Sequence, residues 1–139
     1  MTRVSLTRTI GFRAVHRLWD SRVSAEENRA KFGSTSEAHE HDYRCGVTLS
    51  GPFDPATGLL LDLALLDRTL HEEIVARFGG RHLNEEVPEF GAGRAQPTCE
   101  ALAHLIFARL LRRVPNGVRL ERVRVAEDDT LYADCTAAE

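Results

Sequence analysis

Lysine is almost missing from this 139-residue chain: Lys31 stands alone beside seventeen arginines, a bias that carries no functional reading of its own. The basic residues are outnumbered by Asp and Glu, 18 to 21, so at a formal charge of −3 there is no field to gather nucleic acid nonspecifically. Long apolar runs are absent too. The longest, around Leu59-Leu60-Leu61, is interrupted at Asp62 and ends by Leu66, far short of the roughly 20 residues that cross a membrane. Residues Met1 to Ser5 lack the apolar core of a signal peptide. Cys45, Cys99 and Cys135 form no C-x-x-C pair and no disulfide framework. No internal repeat or low-complexity segment appears. The expectation is one cytoplasmic, reduced domain with neither a nucleic-acid nor a membrane partner.

What is present alternates and then winds. Residues 4–16 read as a strand, with Ile10, Phe12, Ala14 and His16 on one face. A polar stretch from Arg17 to Ala38 reads as a long loop, of the kind that is commonly functional. A second strand runs from His39 to Leu49, with Tyr43, Cys45, Val47 and Leu49 on one side, and stops at the proline-rich turn 50–55. Asp62 caps a helix over 63–78, in which Leu66, Leu70 and Ile74 form one face and Gly79-Gly80 the stop. After a second loop, 81–97, Thr98 opens another helix with Leu102, Leu105, Ile106 and Leu110 inward. Strands over 118–126 and 130–135 finish the chain. The order β-β-α-α-β-β makes an α+β domain, a four-stranded antiparallel sheet with two helices on one face. Such a sheet has open edges, and pairing them between copies of the chain would close a barrel.

Three of the six histidines meet in this layout. His39 and His41 share a strand face, and His16 ends the preceding strand. If those strands pair antiparallel, the three imidazoles converge, a set that suits zinc and leaves a fourth position open. Spacing alone leaves exposed or core histidines as an equal alternative.

The chain resembles the 6-pyruvoyltetrahydropterin synthase family, which includes the 6-carboxytetrahydropterin synthases. Phe12-Arg13-Ala14-Val15-His16-Arg17-Leu18 is similar to the family's F-x-A-x-H-R-L, and Asn28 with Phe32-Gly33 to N-x-x-x-F-G. His39-Glu40-His41-Asp42-Tyr43 resembles H-G-H-N-Y, and Gly58 to Leu63 fits G-hydrophobic-hydrophobic-D-F. Leu83-Asn84 fits the end of D-H-x-x-L-N, Pro97-Thr98-Cys99-Glu100 fits P-T-x-E, and Val123 to Glu127 fits V-x-V-x-E. The resemblance implies the tunnelling fold, in which trimers or higher homo-oligomers close a β-barrel with sites between subunits. It makes His16, His39 and His41 the Zn2+ ligands. Glu100, Glu127 and Thr98 become walls of a pterin pocket, where a carboxylate matches the paired N–H groups of an amidine-like edge.

The chain also departs from the family pattern. No cysteine stands in residues 33–38, where the family's catalytic cysteine falls, and Gly79-Gly80 occupy the ungapped positions of its Asp-His pair. Metal and anchor residues remain while the proton-handling group is gone, which reads as altered chemistry on a retained zinc scaffold. Glu37, two residues before His39, and His82, in the loop of the lost pair, are the candidates for that work. A solvated loop acid and an exposed loop histidine are the equal alternatives. Cys99 reads as a packing residue. The function expected is a zinc-dependent lyase or cyclase acting on a pterin or related small molecule, in specialised metabolism; the alternative is a non-catalytic, zinc-containing, pterin-binding oligomer. Light scattering at micromolar concentration should give at least three times the mass of one chain; a monomer would contradict the barrel.

Overall fold

The computed structural model describes residues 2–138. Four strands, β1 (Val4–His16), β2 (His39–Gly51), β3 (Arg119–Asp128) and β4 (Leu131–Thr136), form one antiparallel sheet in that spatial order. Their ends differ from the sequence reading by one or two residues, as frayed ends do. One face of the sheet is covered. Phe12, Ala14, Tyr43, Cys45, Val47, Leu49, Leu120, Val123 and Val125 are buried on it. The alternation slips in β3, because Leu49 pairs with Leu120 while Thr48 pairs with Arg122. Glu121 is therefore the extra residue of a bulge, which lets Leu120 and Val123, three apart, both face the core.

The layer above the sheet is α2 (Leu63–Leu70), continued by a π-helical turn (His71–Val75) into α3 (Ala76–Phe78), together with α5 (Cys99–Leu111). Asp62 caps the first and Thr98 the second, each accepting from backbone N–H groups. Leu66, Leu70, Ile74 and Phe78 are all buried although they are spaced by four. In an α-helix that spacing rotates about 40° per step; the wide π turn takes the rotation back. Phe78 thus still reaches Phe12, at 5.8 Å between ring centroids, and Phe12 stacks on Tyr43 at 5.0 Å. No helix among the described residues is long and apolar enough to cross a membrane.

Both long loops contain helices that the sequence reading left out. In the first, α1 (Ala25–Phe32) is capped by Ser24 and followed by a 3₁₀ turn (Gly33–Ser36). It has no apolar face; its one buried side chain is Asn28, so periodicity had nothing to detect. In the second, α4 (Leu83–Glu86) and a 3₁₀ turn (Pro88–Phe90) bury Leu83 and Phe90.

The chain turns sharply between α3 and α4, and glycine is built into that turn. A Cβ on Gly79 would lie 2.7 Å from the Val75 carbonyl oxygen, and Gly80 has φ of +73°. Here the turn docks on β1: Gly80 N–H donates to the Arg13 carbonyl (2.7 Å) and Val15 N–H to the Arg81 carbonyl (2.9 Å). Any side chain at these positions must displace backbone or adopt a disfavoured conformation. The double variant Gly79→Asp/Gly80→His, which writes the acid–histidine pair into the ungapped positions, should therefore lose about 1–3 kcal/mol at each strained site. Thermal denaturation would show this as a lowered Tm; a wild-type Tm would mean that the turn tolerates the pair.

Candidate metal centre

Strand register assembles the centre. His16 lies directly opposite His39, and His41 opposite Ala14, so the three imidazoles stand on the covered face at one end of the β1–β2 pair. Their ring centroids are 4.5, 4.8 and 5.1 Å apart, with interplanar angles between 63° and 90°. One ligand atom from each, with one carboxylate oxygen of Glu127, all fall within 4.8 Å of one another.

Backbone carbonyls set the direction of two rings. His16 Nδ1 lies 2.7 Å from the Pro97 carbonyl and His39 Nδ1 2.8 Å from that of Glu37. A carbonyl only accepts, so each Nδ1 carries a proton, and in the neutral ring Nε2 is then the nitrogen with the free lone pair. Burial pushes the His16 pKa down to about 4, helped by His39, His41 and His82 and opposed by the Pro97 carbonyl. The ring is neutral at pH 7. The Nε2 atoms of His16 and His41 are buried without a hydrogen-bond partner. Glu127 Oε2 comes to 2.6 Å from His41 Nε2 and 3.8 Å from His16 Nε2, but the shorter approach lacks hydrogen-bond direction. Buried nitrogens are rarely left so. Three imidazole donors fit a zinc ion in number and kind and leave its fourth position open.

The other candidate residues are distributed unevenly. His82 is brought in: it bridges Val15, next to His16, its side chain is 20% exposed, and its Nδ1 is buried without a partner. Glu37 is exposed, and its structural contribution is the carbonyl that orients His39. Glu100 is exposed in the first turn of α5. The Thr98 hydroxyl is taken up by capping, accepting from Ala101 N–H at 3.1 Å.

One neighbour, Tyr43, went unremarked as a site residue in the sequence. Tyr43 shares the face of His39 and His41, and that period-two pattern was the signal. Its ring meets His16 and His41 edge-on at 5.8 and 5.5 Å, and its hydroxyl is buried without a partner. Burial, Glu127 and Cys99 all push its pKa upward. The Cys99 thiol is likewise pushed up to about 12 by burial and by Glu127. It stays protonated, as a packing residue should.

Fold and centre together define a tunnelling-fold protein whose three clustered histidines and one carboxylate could hold a metal ion. The sequence pattern of the 6-pyruvoyl tetrahydropterin synthase family matches residues 5–138. The 6-pyruvoyl tetrahydrobiopterin synthase of Homo sapiens is 36% identical over 129 residues, covering 91% of this chain and 87% of that protein. The one from Poecilia reticulata is 32% identical over 126 residues, with 89% and 84% covered. The solved structure of the Caenorhabditis elegans 6-pyruvoyl tetrahydropterin synthase superposes with a TM-score of 0.87 at 27% identity, over 99% of this chain and 98% of that one. A Plasmodium vivax 6-pyruvoyltetrahydropterin synthase, solved as a variant of its catalytic glutamate, shares the fold (TM-score 0.69, 13% identity, 97% and 98% covered). This chain belongs to the 6-pyruvoyl tetrahydropterin synthase family.

The buried His16 also sets a pH dependence. Its folded pKa, about 4, lies below the ordinary 6.5, so between these values the unfolded chain binds more protons. The associated stability is complete above about pH 6.5 and is lost as the pH falls toward 4. Urea denaturation of the metal-free chain should show a loss of about 2 kcal/mol between pH 7 and pH 5 that the His16→Asn variant lacks. Equal losses in both proteins would place the effect elsewhere.

Proposed function

We propose that the chain is a zinc-dependent lyase or cyclase acting on a pterin or a related small molecule, with acid–base residues that differ from the family pattern. The observation that carries this reading is the pair of buried, partnerless Nε2 atoms within a set of three imidazoles and a carboxylate. His16, His39 and His41 hold the ion. Zinc bound there supplies Lewis acidity toward adjacent hydroxyl or carbonyl oxygens of the substrate. Glu127 and Glu100 receive the N–C–N edge of the pterin through paired hydrogen bonds, and Thr98, fixed as a cap, forms pocket wall between them and Pro97.

His82 carries the proton. Its mostly buried ring is near enough to His16 to help lower that ring's pKa, and its Nδ1 has no partner, as a group awaiting substrate would. Glu37 is the second candidate. In the Plasmodium vivax protein the catalytic residue is a glutamate, which supports carboxylate chemistry on this fold, but the Glu37 side chain here is exposed. The chain works as a homo-oligomer, a trimer or a multiple of one, on a substrate of specialised metabolism.

Freshly purified protein should contain about one zinc per chain by elemental analysis, and His39→Ala should lose most of it. Conversion of dihydroneopterin triphosphate should be very slow or absent. On the true pterin-like substrate, His82→Ala should lower turnover by about 10²–10⁴-fold and exceed the effect of Glu37→Gln. The reverse order would move the proton to Glu37. Tight pterin binding without any turnover would instead favour the non-catalytic, zinc-containing binding oligomer.

A further inference from the structure

The outer edge of β1 is hydrogen-bonded at every second residue, well past the end of the strand. Arg13 and Val15 pair with backbone, at Gly80 and Arg81. Beyond them no strand continues, and two side-chain amides take its place. Arg17 N–H donates to Asn84 Oδ1 (2.9 Å), and Asn84 Nδ2 donates to the Arg17 carbonyl (2.9 Å). Trp19 N–H donates to Gln96 Oε1 (3.0 Å), and Gln96 Nε2 donates to the Trp19 carbonyl (2.7 Å). An amide side chain presents one acceptor and a donor in a single plane, as a peptide unit does. Each therefore substitutes for a partner residue on the edge.

Gln96 has a second connection. It precedes Pro97, whose carbonyl receives the His16 Nδ1 proton at 2.7 Å. The contacts close a small ring: from His16 along the chain to Trp19, across the Gln96 amide, on to Pro97, and back to His16. Within that ring the pyrrolidine fixes φ of Pro97, and Thr98 N–H donates to the Gln96 carbonyl at 2.9 Å. Thr98 itself is committed as the cap of α5. The direction of the Pro97 carbonyl is thereby set, and its distance from the imidazole depends on where Gln96 is held. We infer that Gln96 is a positioning residue for His16: its bracket on the Trp19 backbone holds the Pro97 carbonyl where it fixes the tautomer and direction of that ring. The inference rests on the reading of the three histidines as a metal site, but its effect on the ring exists without metal.

Two measurements test it: ring ¹⁵N spectra of His16 in the metal-free chain, and zinc affinity by competition with a chromophoric chelator. The wild type should show the single Nδ1–H tautomer. Gln96→Met keeps length and bulk but has neither donor nor acceptor for Trp19; it should mix the tautomers and weaken zinc binding about tenfold. Gln96→Glu keeps the acceptor alone and should shift both readouts in the same direction. Asn28→Ala is the structural control. Asn28 brackets the neighbouring Asp20, at 2.7 and 2.9 Å, but adjoins no residue bonded to a histidine. That variant should lower Tm while leaving tautomer and affinity at wild-type values. A Gln96→Met chain with wild-type tautomer and affinity would overturn the inference. So would an Asn28→Ala chain that loses as much of both, since the effect would then be general loosening. A wild-type chain that takes up no zinc would refute the metal reading instead, and the tautomer alone would then decide the role of Gln96.

Discussion

The hydrogen bond from His16 to the Pro97 carbonyl joins the end of the first strand to the start of the last helix, 81 residues apart in sequence. It is short, buried and shielded from competing water, conditions under which a polar contact is strongest and its loss most costly. The sheet brings His39 and His41 to the same place through register. The second loop brings His82 through its docking on β1, and β3 brings Glu127. The His39 ring takes its own direction from the Glu37 carbonyl, and the His16 ring, the most buried of the three, takes its direction from Pro97. One bond between a ring nitrogen and a loop carbonyl thus fixes the innermost ring of a cluster drawn from five stretches of chain.

Such a centre opposes folding when it stands alone. Burying neutral imidazoles and leaving nitrogens without partners costs free energy, and the low pKa of His16 is the visible sign of it. The surrounding core supplies the compensation: Phe12 on Tyr43, Phe78 against Phe12, and the aligned apolar row along helix 63–78. The π turn matters here because it keeps Phe78 over the sheet against Phe12, where an unbroken α-helix would have turned it aside.

The sequence was legible where a repeating geometry governs it. Alternation located the strands, four-residue spacing located the long helices, and the two-residue step of His39 and His41, set against the strand end at His16, located the cluster of three imidazoles. Legibility failed where side chains bond to backbone, because such contacts follow no period. Helix α1 is built around the buried amide of Asn28; Asn84 stood out only as part of a motif, with no sign of its bracket, and Gln96 not at all. The departure at Gly79-Gly80 was visible as a loss. Its physical content, a turn whose close backbone contact and positive φ require glycine, emerged only from the folded chain.

Trp19 is the single tryptophan of the chain, with the Arg17 guanidinium 4.1 Å from its ring and its backbone in the grip of Gln96. All indole fluorescence of the chain consequently originates three residues from His16. Emission is blind to the far half of the sheet and to most of the helical layer. Proteins open in separate local units, so a fluorescence melt of this molecule times the loosening of one corner, whereas circular dichroism follows the whole. The interval between the two curves is a direct gauge of how independently that corner comes apart.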